Sequence, residues 1–230
     1  MTDLHSYRGG LLRRLLARRG ASIVSLPRSG RGDLAAVRET RELAPLLMQD
    51  VAALQILACA HAAARLGGCM AEAGVFAGAS ARLICLAKGD SPLRLFDVWE
   101  SLQTVPADAT STRATELRKH FGSVHARREP VERLLEPFAG VHFHPGVFPE
   151  SAWGLEDERF SFVHLDLDLE PSTRDALEFF HPRLLAGGII VGDDYQDPGV
   201  RRAFETYFAG RPDTVIAYPW GQVVVVKSGG

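Results

Sequence analysis

The chain has 230 residues, a mass of 25.1 kDa, a net charge of −2 and a pI near 6.4. That is room for one full α/β domain and too little for two. A composition of 46% hydrophobic and 23% charged residues excludes disorder, collagen and coiled coil for the whole chain, and the near-neutral balance excludes a global nucleic-acid footprint.

The basic residues are 23 Arg against 3 Lys, and there is no Asn, the usage of a GC-rich genome and not a functional sign. Cys59, Cys69 and Cys85 have neither an even count nor a metal spacing, and all lie in apolar stretches. They are expected to be buried reduced thiols, which suits the cytoplasm. No apolar run approaches the roughly 18 residues of a membrane span. The best, 51–66, is broken by Gln55, His61 and Arg65. Residues 11–16 are too short for the apolar core of a secretory leader and contain Arg13 and Arg14. A cytoplasmic protein with no membrane partner is expected. Arg8, Arg13, Arg14, Arg18 and Arg19 form a basic amphipathic stretch, read as a solvated helix face rather than a phosphate or membrane contact.

In chain order, a short helix is predicted over 7–19, then a loop at 27–32 (PRSGRG). Helices follow over 34–47 and 48–66, the second ending at Gly67 and Gly68, a C-cap signal. From there short apolar strands alternate with helices. Strands are predicted over 69–73, 93–97, 141–144, 160–167 and 188–192. The helices between and after them are predicted over 79–87, 114–120, 130–138, 172–185 and 200–208. Strands separated by helical lengths imply parallel βαβ units and a doubly wound sheet. The runs 214–218 and 222–227 are separated only by Pro219, Trp220 and Gly221. So short a link holds no crossover helix, so these strands are antiparallel. A mostly parallel doubly wound sheet ending in an antiparallel hairpin is how the class I S-adenosylmethionine (SAM) methyltransferase fold ends, an analogy of fold only.

After the first strand comes Glu72-Ala-Gly74-Val-Phe-Ala-Gly78-Ala-Ser80. Glycine lets backbone approach a ligand with no Cβ in the way, and free N–H groups of the following helix suit an anion. The Gly-x-x-x-Gly spacing is not the Gly-x-Gly-x-x-Gly pyrophosphate fingerprint of NAD enzymes. Glu72 is placed to meet an ammonium such as that of SAM. Asp97 ends the second strand nineteen residues after Gly78, where an acidic residue accepts hydrogen bonds from ribose hydroxyls. Its other reading is a helix cap.

In Phe162-Val-His164-Leu-Asp166-Leu-Asp168, alternation puts His164, Asp166 and Asp168 on one side of the strand. The next strand runs into Asp193-Asp194-Tyr195. Carboxylates converging at neighbouring strand ends raise each other's pKa unless a cation neutralises them. All-oxygen ligands point to Mg²⁺ or another hard divalent cation. Asp166, Asp193 and Asp194 are read as metal ligands, and Asp168 as a cap for the helix at Pro171. His142 and His144 share a strand face, but no third soft ligand is placed, and packing is their reading.

These segments, with Gly199-Val-Arg-Arg-Ala203, resemble the macrocin O-methyltransferase (TylF/MycF-like) family over about 47–227. The resemblance implies the SAM methyltransferase fold and SAM- and Mg²⁺-dependent methylation of sugar hydroxyls on glycosylated natural products. It implies Asp166, Asp193 and Asp194 as metal ligands, with Asp166 catalytic, and Glu72, Gly74, Gly78, Ser80 and Asp97 at the cofactor. Phe148 falls in a loop that flanks the cofactor. It implies a carboxylate base close behind Asp-Asp-Tyr, where Gln196 comes first and Asp197 next, so Asp197 is the candidate. Glu170 replaces the family's Tyr after Asp-x-Asp-x, and Trp99 stands two after Asp97.

The resulting expectation is a methyltransferase domain over 47–230, preceded by a helical lid or dimer segment over 1–46 in a self-associating protein. Its substrate would be a small-molecule hydroxyl acceptor, a sugar diol or a catechol-type diol. A SAM-binding protein without catalysis is the alternative of another class. An NAD oxidoreductase fails on the glycine spacing and the terminal hairpin.

Overall fold

The computed structural model describes residues 30–99 and 126–229. The helices predicted over 7–19 and 114–120, and the Arg-rich stretch, lie outside the described residues. The described residues from Leu34 onward belong to one compact unit. That unit holds almost all of the helix Arg31–Leu43 (α1).

Six helices and seven strands are described. Five strands run parallel: Cys69–Ala73 (β1), Leu93–Asp97 (β2), Val141–Pro145 (β3), Phe160–Leu165 (β4) and Leu184–Gly192 (β5). Thr214–Ala217 (β6) and Val223–Val226 (β7) close the sheet as an antiparallel hairpin, with β7 antiparallel to β5. The order is β3-β2-β1-β4-β5-β7-β6. The chain reverses its winding between β1 and β4, so the crevice for a ligand lies at the C-terminal ends of those two strands.

Every residue of β1 and β4 is buried, as expected of strands covered on both faces. On one face lie α1, Asp50–Ala63 (α2), Ala79–Ala87 (α3) and Arg128–Leu135 (α4), through Val37, Ile56, Ile84 and Val131. On the other lie Glu170–Arg183 (α5) and Pro198–Phe208 (α6), through Phe180, Ala176, Val200 and Phe204. The element order is the predicted one, with ends shifted by a few residues. The strand predicted to run to 167 stops at Leu165, because Asp168 turns the backbone to φ 58°. The helix predicted to run to 66 ends at Ala63 and tightens into a 3-10 turn, Ala64–Leu66. Cys69 and Cys85 are buried free thiols and Cys59 is half-buried. Burial pushes the Cys85 thiol up to about 12. No described helix is long and apolar enough to cross a membrane.

Candidate functional site

The hydrogen-bond ladder continues one step past the strands and delivers the site. Gly74 N–H donates to Phe96 O, Asp166 N–H to Ala73 O, and Asp193 N–H to Leu165 O, at 2.8–2.9 Å. The residues after β1, β4 and β5 are thereby pinned side by side. They line one cavity of about 500 Å³, together with Asp97, Phe148, Asp168 and Asp194. That volume is in the range of small-molecule sites.

The first turn is tighter than a ligand alone requires. A Cβ on Gly74 (φ 89°) would stand 1.7 Å from the carbonyl oxygen of Asp166. Glycine is needed here for the approach of β4, and Gly74 also lines the cavity. Gly78 (φ 82°) is the left-handed N-cap of α3, and its Cβ would meet Val131 at 2.6 Å. It is not on the cavity wall. The expectation that Gly78 gives way to a ligand is corrected accordingly: it makes room for α4. Gly78→Val is expected to destabilise the protein by about 3 kcal/mol or more, through left-handed strain plus overpacking. Thermal melting checks this; an unchanged melting temperature would contradict it.

Asp97 holds the turn. Its Oδ2 accepts the N–H groups of Val75 and Phe76, both at 2.8 Å, and its Oδ1 accepts that of Trp99 at 2.8 Å. Burial raises its carboxyl, and these backbone donors pull it back down. Ser80, in the first turn of α3, lines the same cavity. Phe148 does too, with its ring stacked on Phe180 at 5.3 Å and edge-on to Phe96.

Glu72 is not brought to the cavity. It points to the helix side of β1, fully buried, and its Oε1 lies 2.7 Å from His164 Nδ1. Its Oε2 is buried with no partner among the described residues, so the carboxylate keeps one oxygen beyond the His164 pair. Burial alone lowers the His164 imidazole, but the hydrogen bond and charge of Glu72, with the charges of Asp166 and Asp193, raise it to about 9. The His164 ring thus underlies the carboxylates, hydrogen-bonded to Glu72. Its parity with Asp166 was visible in the sequence; its partner on another strand was not.

The carboxylates that meet are Asp166, Asp168 and Asp194, each with one oxygen within 4.8 Å of the others. Asp193 stands beside this group, its Oδ1 accepting the N–H of Asp194 at 3.1 Å. Asp168 does not take the capping role expected of it: the N-cap of α5 is Leu169, without a side-chain bond. The carboxyl of Asp166 is pushed well above the usual range, first by desolvation and then by Asp193, against the relief from His164. Desolvation also raises Asp193. An all-oxygen set under mutual repulsion fits a hard divalent cation. Among the described residues four non-glycine ones have positive φ, and three of these, Phe76 (49°), Asp168 (58°) and Asp194 (54°), line the cavity. Backbone strain of this kind concentrates at functional sites.

Asp197 is the N-cap of α6: its Oδ1 accepts from Gly199 N–H at 2.7 Å and Val200 N–H at 3.2 Å. It thus serves as a cap, and its side chain is not among those lining the cavity. Gln196 lines the cavity in its place. Asp197→Asn is expected to keep turnover, and Asp197→Ala to cost about 0.5–2 kcal/mol of stability. Initial rates and melting together check this; lost turnover in the folded Asn variant would restore Asp197 as a base.

The sequence profile of the macrocin-O-methyltransferase (TylF) family matches residues 49–221. The chain belongs to the macrocin O-methyltransferase family. It is 34% identical over 150 residues to the 8-demethyl-8-(2,3-dimethoxy-alpha-L-rhamnosyl)-tetracenomycin-C 4'-O-methyltransferase of Streptomyces olivaceus, covering 61% of this chain and 58% of that one. It is 36% identical over 67 residues to the mycinamicin III 3''-O-methyltransferase of Micromonospora griseorubida, covering 29% and 26%. The chain thus spans less than two thirds of the length of these relatives. Among solved structures, the fold is similar to that of the O-methyltransferase NovP, with a TM-score of 0.63, 22% identity, and 77% and 79% of the two chains covered. It is also similar to TomG from Streptomyces achromogenes in complex with SAM, with a TM-score of 0.55, 17% identity and full coverage of both. These neighbours show the class I SAM methyltransferase fold. In this macrocin O-methyltransferase family member, the wall formed by Leu46, Leu47, Met48 and Trp220 had no marker in the sequence. It comes from the α1–α2 connection and the hairpin turn, remote in sequence from the carboxylates.

Proposed function

We propose that this protein is a SAM-dependent O-methyltransferase acting on a hydroxyl of a vicinal diol, on a sugar of a glycosylated natural product, with a hard divalent cation such as Mg²⁺. One observation carries the reading: the Asp166–Asp168–Asp194 cluster opens into the same cavity as the β1 turn and Asp97. The two named relatives act on sugar-bearing natural products by their printed names, and the family supports the same acceptor class here.

SAM supplies an electrophilic methyl on a sulfonium, and a hard cation, when bound, lowers the pKa of a hydroxyl it touches. Asp97 orients the ribose end while it holds the first turn. Asp166, Asp168 and Asp194 would hold the cation. His164, fixed by Glu72, stands behind the carboxylates on β4, the strand that runs into Asp166. The apolar wall excludes water from the transfer. Methyl transfer needs an aligned nucleophile above all, so positioning supplies much of the rate.

Two measurements test this. Calorimetry is expected to show SAM and S-adenosylhomocysteine binding and no NAD binding. A diol panel is expected to yield S-adenosylhomocysteine from SAM with one hydroxyl methylated. NAD binding, or folded protein that binds no SAM, would overturn the proposal.

A further inference from the structure

Trp220 sits in the turn between β6 and β7 and lines the cavity with Asp194 and Gln196. It is held on two sides. Its indole N–H donates to Gln55 Oε1, on α2, at 2.8 Å. Tyr218 packs against the ring, centroids 4.7 Å apart and planes tilted by 31°. The adjoining Gly221 (φ 92°) lies against Gln196: a Cβ there would stand 2.0 Å from Gln196 Oε1 and displace that side chain. Its carbonyl accepts the N–H of Tyr195 at 2.7 Å. Gln196 Nε2 in turn donates to Asp194 Oδ1 at 3.1 Å. One continuous set of contacts therefore runs from α2 through the hairpin turn to a carboxylate of the cluster.

Such fastening exceeds what a surface turn requires. Trp220 is half-buried, held by Tyr218 and Gln55, and still lines the cavity. A tryptophan with its N–H satisfied offers a large, rigid, apolar face at low entropy cost, because two χ angles define it. A fixed apolar face and a carboxylate cluster in one cavity match a ring with one apolar face and hydroxyls on its edge.

We propose that Trp220 is the platform on which the acceptor's hydroxylated ring stacks, its diol edge turned to the Asp194 cluster, and that Gln55 is the positioning residue that fixes this platform. This rests on the O-methyltransferase reading and deepens it. A pyranose and a dihydroxyaryl ring share the required chemistry, and the test separates them.

The test uses full-length protein loaded with S-adenosylhomocysteine and Mg²⁺, so that no turnover occurs. Methyl α-L-rhamnopyranoside and catechol are the probes, in separate arms, followed by saturation-transfer NMR. Wild type is expected to transfer saturation to the ring C–H protons of the pyranoside, and less to catechol. Trp220→Ala is expected to weaken the preferred probe by about 5–10-fold, the worth of an aromatic contact beyond its area. Trp220→Phe should restore most of it. Gln55→Leu should weaken it without lowering the melting temperature, because the loss of the acceptor of the half-buried Trp220 N–H is offset by removing Gln55 Nε2, a buried donor with no partner among the described residues. A purely structural role would lower melting and binding together. S-adenosylhomocysteine affinity, by calorimetry, should be the same in all variants. Equal probe binding in wild type and Trp220→Ala overturns the platform, and so does wild type that binds neither probe while holding S-adenosylhomocysteine. If Trp220→Ala does not fold, unchanged binding in Gln55→Leu and Trp220→Phe overturns it instead. Failure of wild type to bind S-adenosylhomocysteine fells the methyltransferase reading itself.

Discussion

Asp194→Ala is expected to leave the protein folded and able to bind SAM while lowering methyl transfer by at least about 100-fold, the scale of losing a metal's several kcal/mol of charge stabilisation. Asp166, Asp168 and Asp194 each place an oxygen within 4.8 Å of the others. Asp166 is already forced well above the usual carboxylate range, by desolvation and then by Asp193. A cation relieves that repulsion, and removing one carboxylate removes both the ligand and part of the repulsion. In EDTA, therefore, Asp194→Ala and Asp166→Asn should melt no lower than wild type. SAM affinity should change far less, because the proposed cofactor residues, Asp97 and the first turn, are separate from Asp194. The resemblance assigns Asp193 to the metal, whereas the geometry brings in Asp168. Mg²⁺ titrations of Asp168→Asn and Asp193→Asn separate these assignments, the larger loss falling on the true ligand. Undiminished methyl transfer in EDTA, with metal analysis confirming an empty site, would retire the metal altogether.

The legible part of this protein was the part written in local pattern. Alternating apolar runs and helical lengths predicted β1 to β5, and the short link at 219–221 predicted the hairpin. The carboxylates were visible as strand-end pairs, since β4 and β5 are neighbours in a doubly wound sheet. What local pattern does not carry is the direction of a side chain after a strand ends. Asp168 joins the cluster through a left-handed turn at φ 58°, not through strand alternation. Glu72 and His164 find each other across neighbouring strands, separated by 92 residues. Asp197 shows the converse. An Asp before Pro reads equally well as a base or a cap, and only the 2.7 Å bond to Gly199 shows the cap. The glycine pattern at Gly74 and Gly78 is local, but the atoms a Cβ would meet there, Asp166 O and Val131, come from distant parts of the chain. Trp220 and Gln55 are 165 residues apart, and no spacing rule connects them.

Asp97→Ala should be the most damaging single change at the cofactor end, because it acts on fold and binding at once. The backbone N–H groups of Val75, Phe76 and Trp99, and that of Val98, lose their acceptor. Val75 and Trp99 are 2% and 0% exposed, so water cannot replace it there, whereas Phe76 is 37% exposed and its N–H can be resolvated. Two buried unsatisfied donors put the loss of stability at about 2–5 kcal/mol. The turn that carries Gly74 and Ser80 then loses its brace, and SAM affinity should fall by more than the roughly 10-fold that one charge-assisted hydrogen bond to a ribose hydroxyl contributes. Asp97→Asn keeps one oxygen acceptor but turns an NH₂ toward backbone donors. It should fall between wild type and Ala in melting temperature, and bind SAM better than Ala. Chemical denaturation and SAM calorimetry on the three proteins read the two effects separately. Wild-type stability with weakened SAM binding in Asp97→Ala would mean that the carboxylate serves the ligand alone; lowered stability with unchanged SAM affinity would mean that it only braces the turn, and would remove Asp97 from the cofactor site.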